Sequence, residues 1–197
     1  AVAPPTRPVV LHTAEVPRIR VVPVATGLSH PWGMAFRANG DILVTERDKG
    51  TLRVVRAGQL LDRAVPGVPE VFSASNRAGL MDVAVHPDDD RVVYLTYSKS
   101  IIQDGQEGVT VALARGRLDT GALTEVRDIF VAQGLDRGIA ASRLIWAPDG
   151  TRKQSVAPGG QPILAVAMAR PKVGGWFVAG SKNSNAYVID PDATKPR

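Results

Sequence analysis

The chain has 197 residues, 44% hydrophobic and 22% charged, a composition typical of a globular protein rather than a disordered one. The formal net charge of +5 comes from basic residues scattered among Asp and Glu, so no nucleic-acid partner is predicted, and no apolar run approaches the ~20 residues of a membrane span. The absence of cysteine excludes disulfides, thiol catalysis and cysteine-ligated zinc.

Residues 1–19 form the first segment, which we predict to be an extended leader. It opens with AVAPPTRPVV, rich in proline and starting at Ala1 rather than Met. A small residue at the first position is typical of the start left after signal-peptide cleavage. The leader therefore favours an exported protein, periplasmic or secreted.

The stretch HPWGMAFRANGDILVTER, residues 30–47, predicts a β-hairpin. Apolar residues alternate on either side of Asn39-Gly40, a dipeptide favoured in tight turns where both residues take positive φ. A third strand is predicted over Thr51–Arg56, which makes the unit a meander. His30 stands just before Pro31, and His86 before Pro87, so we interpret both histidines as turn residues.

The unit recurs along the chain. GLMDVAVHPDDDRVVYLTYS (79–98) and ASRLIWAPDG (141–150) repeat it, with Phe36, Val85 and Trp146 at equivalent places about 49 and 61 residues apart. Strands on either side of the turn at 119–121 fill the gap between the second and third copies. Such periods indicate propeller blades, so we predict an all-β, partial β-propeller of three to four antiparallel blades. The apolar positions predicted to point inward are Met34, Phe36, Val44, Val83, Val85, Tyr94, Leu95, Leu144 and Trp146.

The ordered blocks VATGLSHPWGMAFRANGDILVTER, PGVPEVF, AGLMDVAVHPD, RVVYLTYS, ALARGRL and SRLIWAPDG resemble the soluble sugar dehydrogenases of the glucose/sorbosone dehydrogenase family. The resemblance covers residues 20–150. It implies a six-bladed propeller that oxidises aldose sugars with pyrroloquinoline quinone (PQQ), binds calcium and passes electrons to an external acceptor.

The resemblance also implies site residues. The family's His-Phe-Gly-Ser-Arg block, which holds the base that removes the sugar hydroxyl proton, matches residues 139–143. Here Ile139 stands at the base position and cannot accept a proton. The family's active-site glutamine matches Arg77. We predict Arg77, Asp136, Ser142 and Arg143 to face the cofactor or substrate, with weak PQQ binding and impaired turnover.

Two alternatives remain open. One is a non-catalytic propeller fragment that binds a sugar, a polymer or a protein partner. The other is a calcium-dependent, lactonase-like propeller, for which Glu46, Asn76 and Asp82 are candidate oxygen ligands.

The last part of the sequence departs from the pattern. Residues 151–162 are Gly/Pro-rich and predict a junction, and residues 163–197 predict a further propeller-like blade. Residues 162–192 more weakly resemble a blade of the quinoprotein alcohol dehydrogenases, which suggests a fused or fragmentary gene product. The open edges of an incomplete propeller predict self-association.

Overall fold

The computed structural model describes residues 6–73, 78–132, 141–147, 163–169 and 184–189. Within these ranges every regular element is a β-strand, and no helix is long and apolar enough to cross a membrane. The strands are β1 (Val9–Leu11), β2 (Ile19–Val21), β3 (Pro31–Phe36), β4 (Ile42–Glu46), β5 (Thr51–Arg56), β6 (Gln59–Leu60), β7 (Leu80–Val85), β8 (Val92–Gln103), β9 (Gln106–Asp119), β10 (Ala122–Val131), β11 (Ala141–Ala147), β12 (Ile163–Ala169) and β13 (Ser184–Ile189).

The first four-stranded sheet has the order β3-β4-β5-β6, which confirms the predicted meander. Its first turn differs from the prediction, because Gly40 has a φ of 86° whereas Asn39 does not have positive φ. The Gly40 amide donates to the Arg37 carbonyl at 3.0 Å, and the Arg37 amide donates to the Asp41 carbonyl at 2.9 Å. The loop is thus longer than a two-residue turn, and only its glycine needs the left-handed region.

The second sheet has the order β7-β8-β9-β10. The turn predicted at 119–121 joins β9 to β10, with a φ of 48° at Thr120 and 85° at Gly121. His86 caps the β7–β8 connection, where its Nδ1 accepts a hydrogen bond from the Asp88 amide at 3.1 Å. The prediction of a turn histidine is confirmed here.

The third sheet has the order β11-β12-β13. β11 pairs along its whole length with β12, so strands from both sides of the predicted junction share one sheet. The division of the chain at 151–162 remains a prediction, because those residues lie outside the described ranges.

The first strands of the three sheets lie side by side, since β3 contacts β7 and β7 contacts β11. The second sheet is covered on both faces. One core cluster joins it to the first sheet through Leu43, Leu52, Leu80 and Leu95, and the other includes Tyr94, with Leu144 of β11 packed against it. Sheets stacked face to face around their first strands form a partial β-propeller, as predicted.

The predicted core is largely correct, with one clear error. Val44, Val83, Tyr94 and Leu95 are buried, and Val85 and Leu144 are partly buried against the two clusters. The side chain of Trp146 lies outside the described part.

Met34 and Phe36 are 64% and 66% exposed, so the prediction that they point inward is wrong. Side chains alternate along a strand, and Ala35, which stands between Met34 and Phe36, packs against the core cluster shared by the first and second sheets. Met34 and Phe36 therefore lie on the opposite face of β3 from Ala35, where both are largely exposed.

Candidate functional site

The first strands begin at one common end of the molecule. The Arg47 amide donates to the His30 carbonyl at 3.1 Å, and the Arg47 carbonyl accepts from the Leu80 amide at 3.1 Å. Arg47 thus joins the starts of β3 and β7 through the end of β4. On the other side of β7, the Ser142 hydroxyl lies 3.4 Å from Met81 Sδ. Arg77 and Ile139, the positions matched to family site residues, fall shortly before β7 and β11 in the sequence.

Asp82, near the start of β7, is a buried acid at this end, with 7% of its surface exposed. Its Oδ2 accepts a hydrogen bond from the Leu144 amide at 2.8 Å, and its Oδ1 accepts from the Val83 amide at 3.1 Å. Burial raises the pKa of Asp82, and the bond from Leu144 and the charge of Arg143 offset only part of that rise. The carboxylate therefore serves as the polar link between β7 and β11.

Arg143 extends this link to the first sheet. Its Nη1 donates to the Trp32 carbonyl at 2.9 Å and lies 3.6 Å from Asp82 Oδ1, while 58% of the side chain is exposed. The guanidinium also lies 5.2 Å from the centroid of the Trp32 ring. One side chain from the third sheet therefore contacts the first strands of the other two.

Trp32 and Arg47 belong to this cluster although the sequence analysis assigned them no role. The Arg47 guanidinium lies 5.1 Å from the Trp32 ring centroid, and its Nε donates to Asp48 at 2.6 Å. Trp32 Nε1 is buried without a hydrogen-bond partner in the described part of the chain. The register of the predicted β3–β4 hairpin is the feature that could have placed Arg47 here. Pairing sets Glu46 opposite Pro31 and so brings Arg47 beside His30.

The predicted site residues are only partly brought together. Ser142 and Arg143 are at the common end, Ser142 buried against Met81 and Arg143 paired with Asp82. Arg77, Asp136 and Ile139 lie outside the described residues, so their roles remain predictions.

The candidate lactonase ligands are engaged in separate contacts. Glu46 is buried and accepts from the Ser29 amide at 2.6 Å, the Thr51 hydroxyl at 2.7 Å and Arg53 Nη1 at 3.3 Å. Burial alone would raise the pKa of Glu46, but these donors outweigh it and lower the pKa. Asp82 is bonded to Leu144, and Asn76 lies outside the described residues. Where the structure is described, no three acidic or histidine side chains group to hold a metal ion.

His30 directly precedes β3 and lies in the left-handed region, with a φ of 46°. Its Nδ1 lies 3.1 Å from the Asp48 carboxylate, and 65% of its side chain is exposed. The histidine therefore shapes the start of the strand, with a carboxylate rather than a backbone group as its side-chain partner.

Three antiparallel sheets whose first strands lie side by side define part of a β-propeller. Comparison with known proteins identifies the family. The sequence profile of glucose/sorbosone dehydrogenase matches residues 28–171, and the chain belongs to this family. The match continues past Gly150 and includes β12.

Two curated relatives match the sequence. An uncharacterized protein of Synechocystis sp. is 43% identical over 169 residues, which are 80% of this chain and 40% of the relative. The aldose sugar dehydrogenase YliI of Escherichia coli is 38% identical over 106 residues, 52% of this chain and 28% of the enzyme. The chain thus spans less than half the length of either relative.

The solved structures that share the fold include two aldose sugar dehydrogenases. The soluble aldose sugar dehydrogenase of Escherichia coli, in its apo form, has a TM-score of 0.55 at 31% identity, covering 72% of this chain and 38% of that one. The PQQ-bound aldose sugar dehydrogenase of Streptomyces coelicolor has a TM-score of 0.52 at 25% identity, covering 84% and 43%.

Proposed function

We propose that this chain acts in PQQ-dependent oxidation of aldose sugars at the C1 hydroxyl, and that its turnover in the form given is low. Electrons would pass to an external acceptor. Family membership supports the reaction class, as does the PQQ-bound relative from Streptomyces coelicolor. The observation that carries the proposal is the hydrogen bond from the Leu144 amide to the Asp82 carboxylate, which joins β11 to β7. These two strands follow the segments that contain the predicted site positions Ile139 and Arg77.

The described residues do not by themselves fit PQQ, whose several carboxylates require several positioned cations. Arg143 is paired with Asp82, and Arg47 is paired with Asp48. Each charge-assisted contact contributes about 1.5–3 kcal/mol, so a site lacking three of them loses more than about 4 kcal/mol, roughly a thousandfold in affinity. We therefore expect weak quinone binding by this chain.

Low turnover follows from position 139. A general base contributes roughly 10²–10⁴ in rate, and the isoleucine side chain has no atom that accepts a proton. Calcium dependence and a periplasmic or secreted location are further parts of the proposal, supported by the family resemblance.

Restoring the base tests this proposal. The chain carrying Ile139→His and Arg77→Gln, supplied with PQQ, calcium and glucose, is expected to reduce dye at least tenfold faster than the unmodified chain. Ile139→Leu with Arg77→Gln is the matched control and should gain nothing. Equal rates in the two double variants would refute the assignment of the base position. Tens of turnovers per second from the unmodified chain would refute low turnover.

A second candidate is a propeller that binds sugar without oxidising it, favoured by the same isoleucine. Saturable binding of aldoses by the unmodified chain, with no dye reduction even in the Ile139→His variant, would support it over the first.

A further inference from the structure

The β8–β9 hairpin extends beyond the rest of its sheet, at the common end of the first strands. β7 pairs with β8 only as far as Tyr97, and β10 pairs with β9 only from Ala112 onward, whereas β8 and β9 stay paired up to the turn that joins them. The partner of Tyr97 is Leu80, the first residue of β7, so the extension rises from the end at which β7 begins. We call residues 98–111 the hairpin arm.

Hydrogen bonds to neighbouring segments fix the base of the arm. The Thr110 hydroxyl donates to the Ala132 carbonyl, just after β10, at 2.8 Å. The Ser98 carbonyl accepts from the Phe72 amide, also at 2.8 Å. The arm and Phe72 are therefore held in a fixed position relative to each other.

One face of the arm borders a cleft of 720 Å³, together with Phe72. Ser100 pairs with Val109 across the hairpin, and two residues further along Ile102 pairs with Glu107. Because side chains alternate along a strand and paired residues share a face, these four side chains lie on one face of the arm. All four line the cleft. Its volume lies within the range of about 300–1,000 Å³ that is typical of small-molecule sites.

The cleft adjoins the segment that contains Arg77. Ser98 is fully buried at the base of the arm, where its hydroxyl accepts from the Gly79 amide at 3.0 Å and its amide donates to the Gly79 carbonyl at 2.9 Å. Since Phe72 bonds to the same serine, the residues on either side of 73–78 meet at this point. Arg77, matched to the family's active-site glutamine, belongs to that segment, so the cleft lies next to a segment with a predicted site position.

The chemistry of the lining suits a sugar ring, which has apolar C–H faces and a rim of hydroxyl groups. The flat ring of Phe72 offers an apolar surface whose negative face attracts C–H groups. The Glu107 carboxylate accepts hydrogen bonds from hydroxyls, and the Ser100 hydroxyl both donates and accepts. Glu107 is exposed, and within the described part of the chain no hydrogen bond or ion pair occupies its carboxylate. Apolar and polar groups are thus both presented to one cleft.

We propose that this cleft binds an aldose ring, with Phe72 against one face of the ring and with Glu107 and Ser100 bonded to its hydroxyls. The inference deepens the proposed function and rests on it, because the oxidation of aldoses is what identifies the ligand as a sugar. It adds a binding site on the hairpin arm to the positions matched to the family's base and glutamine.

Isothermal titration of the chain with glucose, in the absence of PQQ, tests the cleft apart from the oxidation. The unmodified chain should bind glucose saturably. Phe72→Leu keeps an apolar side chain but removes the ring, and Glu107→Gln keeps the size of the side chain but removes its charge. Each should raise the Kd at least about fivefold. Glu107→Gln alters an exposed position, so its result does not depend on packing at Phe72.

Phe36→Leu and Glu125→Gln are the matched controls, because both residues are exposed and lie outside the cleft. Each control should change the Kd by less than about twofold, and circular dichroism should show the same β-sheet signal in all four variants. The absence of saturable binding up to about 100 mM glucose would overturn the sugar site. Binding that both cleft variants leave unchanged, or that the controls weaken equally, would overturn it as well.

Dye reduction by the chain carrying Ile139→His and Arg77→Gln separates this inference from the proposed function. If that chain reduces no dye although glucose binding depends on Phe72 and Glu107, the oxidation fails and the sugar site stands. If it reduces dye while the cleft variants bind glucose like the unmodified chain, the sugar site fails and the oxidation stands.

Discussion

Replacing Asp82 by alanine should destabilise the protein more than replacement of any exposed aspartate. The carboxylate accepts from the Leu144 amide at 2.8 Å and from the Val83 amide at 3.1 Å. An amide left without its partner costs about 1–3 kcal/mol. The pair with Arg143 adds little, because that side chain is 58% exposed. We expect a loss of about 2–3 kcal/mol in the free energy of unfolding.

Urea denaturation at pH 7, followed by circular dichroism, measures this loss. A loss of that size lowers the Tm by about 4–12 °C in a chain of this length. Asp62→Ala, at an exposed position, is the control and should change the free energy by less than about 0.5 kcal/mol. If Asp82→Ala is no more destabilising than this control, the carboxylate does not link β7 to β11 as described.

The pH dependence gives the same residue a second test. Burial raises the pKa of Asp82 above its ordinary value of 3.8, so its protonated form is favoured in the folded state. The stability this contributes is fully present below pH 3.8 and is lost as the pH rises through the raised pKa. Relative to Asp82→Asn, the unmodified chain should therefore be more stable at pH 4 than at pH 7. The opposite trend would contradict the raised pKa.

Two further substitutions test the packing and the electrostatics. Gly33→Ala should lower the free energy of unfolding by about 2–3 kcal/mol, because the new Cβ would overlap Asp82 Oδ1 and lie only 2.9 Å from Asp82 Cα. Gly105→Ala is the control: its Cβ meets no atom within 4 Å, so it should cost only about 1 kcal/mol, for the φ of 73°. Equal losses of unfolding free energy for the two variants in urea denaturation would contradict the close approach of Gly33 to Asp82. Glu46→Gln should cost about 1–3 kcal/mol at pH 7, and the loss should shrink as the pH falls below 4.5, because the lowered pKa of Glu46 gives stability that acid removes. A pH-independent loss would refute this.

Local sequence patterns predicted most of the strands and turns because these depend on neighbouring residues, but they did not predict the β1–β2 hairpin, most of which falls in the segment expected to be an extended leader. Alternation identified β3, recurrence of the unit identified β7, and the turn predicted at 119–121 marked the connection between β9 and β10. Alternation assigns residues to two faces of a strand but does not tell which face is covered. Met34 and Phe36 were placed inside for that reason, although the packed residue is Ala35.

The candidate site was harder to predict, because its contacts join different sheets. The Leu144 amide and the Asp82 carboxylate are 62 positions apart, and no local pattern pairs them. The family resemblance identified Arg143 but gave no indication that its guanidinium contacts Trp32 and Asp82. Arg47 was overlooked because it follows the last residue of β4 and joins the site only through sheet pairing.

Direct titration with PQQ in the presence of calcium tests the central proposal, that this chain of the glucose/sorbosone dehydrogenase family binds the quinone weakly. Binding is followed by the absorbance of the quinone, with the Streptomyces coelicolor aldose sugar dehydrogenase, known in a PQQ-bound form, as the positive reference. We predict no saturation of this chain at micromolar PQQ, where a nanomolar site would fill stoichiometrically. Stoichiometric, saturable binding at micromolar PQQ would contradict the account.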